Sequence, residues 1–147
     1  MYLLFSFIME YKRESGKIIV RLDRGDEVVS LLLKIIKDEN LKGGFISAIG
    51  AADIVEVGLY EVEKQEYKSK RFEGDFEIIS CLGNVSRKDG EPYLHLHMSF
   101  GDKDFKVYGG HLSYCRISGT FECVIGLTES EINRMKDSKT GLNVFKL

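Results

Sequence analysis

Apolar and polar residues alternate from Lys17 to Asp23, with Ile18, Val20 and Leu22 on one side, the period-two signature of a half-buried strand. The period then changes. Val28, Leu32, Ile35 and Ile36 recur at helical spacing, so a helix follows, capped by Asp23 or Asp26 and ended by Asn40 and Gly43-Gly44. Its buried face is Val28, Leu32 and Ile36. From Gly44 onward, β-branched and aromatic residues are interrupted by glycine, asparagine and charged turns. This texture predicts strands near 44–50, 54–62, 66–72, 76–85, 93–100, 105–115 and 119–128, a short helix near 129–136 and a final strand near 142–147. Short connections such as Lys88-Asp89-Gly90 and Gly101-Asp102-Lys103 favour antiparallel neighbours. The expected architecture is α+β, a mostly antiparallel sheet flanked by one main helix and one short helix.

A single proline, Pro92, and the lack of any linker-like or low-complexity stretch make residues 1–147 one domain, with 1–8 as an N-terminal extension. The opening run from Met1 to Met9 is strongly apolar. It has no preceding basic residue and no small-x-small cleavage site, and it is far shorter than the ~20 residues of a spanning helix. We expect a strand there, lying against a neighbouring subunit, with a start at Met9 as the alternative.

Composition narrows the function classes. The 21 Lys and Arg residues against 23 Asp and Glu give a formal charge of −2, which argues against gripping nucleic acid by whole-molecule electrostatics. Lys68, Lys70 and Arg71, and separately Arg87 and Lys88, are small basic clusters diluted by Glu66, Glu73, Asp75 and Asp89. Cys81, Cys115 and Cys123, an odd number without a Cys-x-x-Cys pair, read as reduced core thiols of a cytoplasmic protein. A chain of this length buries roughly two-thirds of its unfolded surface and needs no metal merely to fold. Any metal site therefore serves function.

All three histidines fall between positions 95 and 111. In Tyr93-Leu94-His95-Leu96-His97-Met98, alternation sends both imidazoles to one face and Leu94, Leu96 and Met98 to the other. His111 ends Val107-Tyr108-Gly109-Gly110-His111 in the next strand, where an antiparallel hairpin brings it beside the first two. Three nitrogen donors on rigid strands suit zinc, with nickel, iron or manganese less well matched. They leave one coordination position open to water or a small-molecule ligand. The two glycines before His111 give the backbone a close approach to a crowded site. Glu77 and Glu122, carboxylates in otherwise apolar strands, are the candidates for a supporting acidic group, although a solvated strand face is the favoured reading of each. Gly43-Gly44-Phe45-Ile46-Ser47-Ala48-Ile49-Gly50 matches neither a dinucleotide fingerprint nor a phosphate loop and reads as tight backbone packing.

These residues resemble the PPC (plants and prokaryotes conserved) domain in its stand-alone prokaryotic form, over nearly the whole chain from about Met9. The similarity runs through Gly44 to Ala51, Phe76-Glu77-Ile78-Ile79-Ser80-Cys81-Leu82-Gly83-Asn84-Val85-Ser86, Leu94-His95-Leu96-His97, and Val107-Tyr108-Gly109-Gly110-His111-Leu112. Arg134, Asp137 and Thr140-Gly141-Leu142 fit as well. The resemblance implies an α+β fold, a homotrimer, zinc on His95, His97 and His111, and a DNA-binding regulatory role. Plant members join the domain to an Arg-Gly-Arg-Pro hook and carry a Gly-Arg-Phe-Glu-Ile-Leu segment. This chain has no such tetrapeptide, and Gly74-Asp75-Phe76-Glu77-Ile78-Ile79 places aspartate where the arginine stands. The histidine arrangement also resembles acetolactate decarboxylase, which implies as an alternative a zinc-dependent lyase or hydrolase acting on a small carbonyl or carboxylate compound.

Overall fold

The computed structural model describes residues 9–147. Nine elements follow in order: β1 (Glu10–Glu14), β2 (Lys17–Asp23), α1 (Val28–Asp38), β3 (Gly44–Glu61), β4 (Glu66–Lys88), β5 (Glu91–Gly101), β6 (Val107–Leu127), β7 (Asn133–Lys136) and β8 (Asn143–Lys146). The strand expected for the opening apolar run lies outside the described residues.

The strands form one eight-stranded sheet along the path β1-β2-β6-β3-β4-β7-β8, with β5 pairing both β4 and β6. The long strands β6, β3, β4 and β5 therefore close a ring of antiparallel pairings. Inward positions fill its core. Phe100, Phe121, Ile117, Ile125 and Leu96 are fully buried, together with Val28, Leu32, Ile35 and Ile36 from α1. The main helix and its buried stripe match the periodicity. All three cysteines are buried and free, and burial pushes the Cys81 and Cys123 thiols up to about 12, which makes them inert packing groups.

Three expectations need correction. The helix cap is neither Asp23 nor Asp26 but Glu27, whose carboxylate accepts from Val29 N and Ser30 N at 3.0 and 2.7 Å and also from Cys115 N at 3.2 Å. Asp26 instead accepts from the Asp23 amide at 2.8 Å, closing the turn before the helix. At the other end Asn40 takes a left-handed φ of 48°, and Leu41 N donates to Ile36 O at 2.9 Å, a Schellman closure that explains why the helix stops there.

The strand pairs expected at 44–50 and 54–62, 66–72 and 76–85, and 105–115 and 119–128 are each one continuous strand. Their apparent breaks are bulges, with register shifts between Ala48 and Gly50 and between Ala52 and Ile54. The short helix expected near 129–136 is absent. Asn133–Lys136 is strand β7, bridged in parallel to β4 at Arg87 and paired antiparallel with β8. Pairing with two other segments outweighs the local helix-forming composition of Glu129 to Ile132. The α+β description thus rests on one helix beside a dominant sheet.

Candidate metal centre

β5 presents Leu96 and Met98 to the core at 2% exposure each and turns His95 and His97 to the opposite face. His111 on β6 is the direct cross-strand partner of His97. Directly paired residues share a face, so the third imidazole joins the first two. Each ring offers a nitrogen, and the three atoms lie within 4.8 Å of one another. Nε2 of His95 and Nε2 of His97 are 3.2 Å apart.

Local packing explains how the strands bring these rings together. A Cβ on Gly83 would stand 2.0 Å from the His95 carbonyl oxygen, so only glycine lets β4 run this close to β5. A Cβ on Gly110 would meet Gly58 O at 2.7 Å and one on Gly109 would meet Met98 O at 2.8 Å. The glycines before His111 therefore serve strand approach on both sides of β6. Tyr67 lies against the His111 ring with centroids 4.9 Å apart.

Burial and mutual proximity favour the neutral form of His95 and His111. The pKa of His95 is pushed down to about 4, first by burial and then by the neighbouring charges of His111, His97 and Arg134. That of His111 is lowered too, chiefly by burial. A buried Nδ1 of His111 has no hydrogen-bond partner. Converging ring nitrogens, with one buried nitrogen left without a partner, suit a cation, because coordination requires the unprotonated imidazole. The residues present fit a divalent transition metal.

A cavity of about 620 Å³ opens beside the triad. Its far wall is the β7–β8 hairpin. Tyr60 OH donates to Thr140 O at 2.6 Å and ties that hairpin to β3, while the Asp137 carboxylate accepts from Thr140 N and Oγ1 at 3.0 and 2.7 Å and shapes its turn. Arg134, 8% exposed, reaches inward from β7. It donates from Nε to Ser86 Oγ at 2.7 Å, from Nη2 to Asn84 Oδ1 at 2.5 Å and from Nη1 to Asn143 O at 2.6 Å. Its guanidinium carbon sits 4.6 Å from the Tyr93 ring centroid and 4.7 Å from that of Phe145. The Asn84 and Ser86 of the sequence motif are thus partners of this arginine. Sequence reasoning missed Arg134 as a site residue because its segment read as helix; its place among the residues that carry the family resemblance was the available signal.

Glu77 and Glu122 are placed elsewhere. Both are exposed and neither lines the cavity of the triad. Glu77 pairs with Gly101, six residues along β5 from His95, roughly 20 Å away at strand rise. Glu122 pairs with Ile49 and Arg21. The solvated-face reading describes both. Three members of the basic clusters are ion-paired: Arg71 with Glu73 at 3.2 Å and Glu56 at 4.0 Å, Arg87 with Glu131 at 3.7 Å, and Lys88 with Asp89 at 2.7 Å. No described helix is long and apolar enough to cross a membrane.

Comparison with known proteins places this geometry in context. The family model described as the Plants and Prokaryotes Conserved (PCC) domain, the PPC domain above, matches residues 9–129. A candidate DNA-binding protein from Bacteroides thetaiotaomicron has 29% identity and a TM-score of 0.91, over 95% of this chain and 97% of that one. A metal-containing protein from Archaeoglobus fulgidus has 33% identity and a TM-score of 0.82, over 95% of this chain and 99% of that one. Acetolactate decarboxylase from Bacillus subtilis shares the fold at a TM-score of 0.57 and 16% identity, over 85% of this chain and 55% of that one. Among curated proteins, the bifunctional protein GlmU of Synechococcus sp. is 29% identical over 125 residues; the match takes in 83% of this chain but 19% of that protein. The chain thus spans about a fifth of the curated relative it matches.

Proposed function

This chain belongs to the Plants and Prokaryotes Conserved domain family, and from that premise we propose that it is a zinc-binding homotrimer with a DNA-associated regulatory role in the cytoplasm. The observation that carries the metal half is the convergence of His95, His97 and His111 within 4.8 Å. These three side chains hold the ion and leave a coordination position facing the cavity. When bound, zinc polarises an oxygen of a ligand or lowers the pKa of a bound water. The chain's own residues orient and enclose: Tyr67 stacks on His111, and the β7–β8 hairpin restricts solvent access.

Self-association is supported by an apolar patch continuous with the histidine face. Leu82 and Val124 flank Ser47 in register, Phe45 and Ile49 lie two residues to either side along β3, and His97 pairs with Leu82. Phe45, Ile49, Leu82 and Val124 are 41–59% exposed, and a contiguous exposed apolar cluster is the kind of surface that partners cover. Light scattering reads three chains per particle, and Leu82→Asp shifts it toward one.

DNA association is supported by the names of relatives and opposed by the charge balance, so whatever binding occurs depends steeply on salt. Titration of duplex DNA at low ionic strength tests it: retardation lost on adding salt supports the role, and no retardation removes it. A second reading, a lyase or hydrolase acting on a small carbonyl or carboxylate compound, is favoured by the cavity beside the triad. Turnover of keto acids or esters by zinc-loaded protein and not by His97→Ala supports that reading; equal turnover by both removes it.

A further inference from the structure

Arg134 is the most buried arginine among the described residues, and it lacks a carboxylate partner. Arg13, Arg21, Arg71, Arg87 and Arg116 each lie within 4.0 Å of a carboxylate oxygen, and Arg24, which does not, is exposed to water. Arg134 has no such partner among the described residues, although it is 8% exposed. A buried guanidinium without a counter-charge is costly. The Tyr93 and Phe145 rings stabilise the cation by their faces but bring no formal negative charge.

Its donors are also incompletely used. A guanidinium has five N–H groups, and the bonds to Ser86, Asn84 and Asn143 take three. One N–H on each terminal nitrogen is left, the donor pair that a carboxylate accepts in bidentate fashion. The same cavity is walled by Leu59, Leu142, Val144 and Phe145, which suits a short organic substituent better than the fully polar shell of a phosphate. Arg134 lies past the residues that the family model matches, on a hairpin that Tyr60 and Asp137 hold in place.

We propose that Arg134 anchors a small carboxylate ligand in this cavity, with a 2-hydroxy or 2-oxo oxygen of the same molecule directed to the metal held by His95, His97 and His111. The second contact rests on the zinc reading above; the first does not. The carboxylate supplies the missing counter-charge, and the apolar wall limits the ligand to a short chain.

Calorimetric titration of the full-length protein, zinc-loaded and chelator-stripped, tests this with lactate, pyruvate, the uncharged lactamide and inorganic phosphate as probes. The expected result is binding of lactate or pyruvate to the zinc-loaded protein, with lactamide weaker by at least roughly tenfold and phosphate weaker than the acids. Arg134→Gln weakens the acids by a similar factor while retaining zinc. Should that variant fail to fold, the wild-type comparison of lactate with lactamide decides alone. No binding of either acid, equal binding of lactate and lactamide, tighter binding of phosphate, or undiminished affinity in zinc-loaded Arg134→Gln overturns the proposal. Selection of lactate over lactamide by a protein that holds no zinc upholds the arginine anchor and overturns the metal contact, separating the two readings.

Discussion

Arg116 and Arg134 solve the same physical problem in opposite ways. Arg116 on β6 is half-buried and clamped to Asp53 of β3 by two hydrogen bonds, Nε to Oδ1 at 2.8 Å and Nη2 to Oδ2 at 3.0 Å. Arg134 is nearly buried and meets only neutral acceptors and two aromatic rings. In the first region charge is neutralised within the chain and the result is a surface staple. In the second it is left uncompensated next to three converging imidazoles. The difference shows where the fold tolerates an electrostatic cost that a ligand can relieve, and Arg71, with Glu56 and Glu73 beside it, belongs to the first kind.

Gly83 breaks the comparison most severely, with Gly119 as its control. Gly83→Ala forces a Cβ against the His95 carbonyl at 2.0 Å, backbone that has no rotamer to yield. We expect a loss of about 3 kcal/mol in chemical denaturation together with loss of bound zinc. Gly119, three residues from Arg116, is exposed and its added Cβ would meet only the Ala51 Cβ at 3.3 Å, so Gly119→Ala costs less than about 1 kcal/mol. Equal effects would show that the strand approach at His95 is not a constraint.

Arg134→Ala ranks next. It removes two ring contacts and three hydrogen bonds from a buried position, for an expected loss of about 2 kcal/mol in the same assay. Arg116→Ala removes a partly exposed pair and costs at most about 1 kcal/mol.

The clamp has a pH signature of its own. The Arg116 guanidinium holds the Asp53 carboxyl below its ordinary value of 3.8. A folded-state pKa below the unfolded one contributes stability that is full above the unfolded value and is lost as pH falls through the folded one. Asp53→Asn therefore lowers stability near neutral pH by less than about 1 kcal/mol, and its curve converges with that of the wild type below about pH 3.8. A difference that grows toward acid would contradict the assignment. The smallest expected effect is that of exposed His97→Ala, which in the presence of chelator changes stability by no more than about 0.5 kcal/mol, since the imidazole sits on the open face of β5.

The triad was legible in the sequence because a strand has a rigid period: two residues apart fixes one face, and the short turn from β5 to β6 fixes the partner. The helix and its Asn40 stop were legible for similar local reasons. Glu27 was not, since its carboxylate caps the helix while also accepting from Cys115, a residue distant in sequence. Arg134 was hidden because β7 exists only through its pairing with β4 and β8, and no local pattern in Glu129 to Lys136 outweighs its helical composition. Glu77 and Glu122 drew notice as carboxylates in apolar strands, yet the same alternation that buries Phe76, Ile78, Phe121 and Cys123 sends both to solvent.

The metal content of untagged protein, counted per chain by elemental analysis for the wild type and for His97→Ala, tests the account at its centre. Three converging donors predict close to one zinc per chain in the wild type and almost none in the variant. A wild type that binds no transition metal, or a variant that binds as much as the wild type, would contradict it.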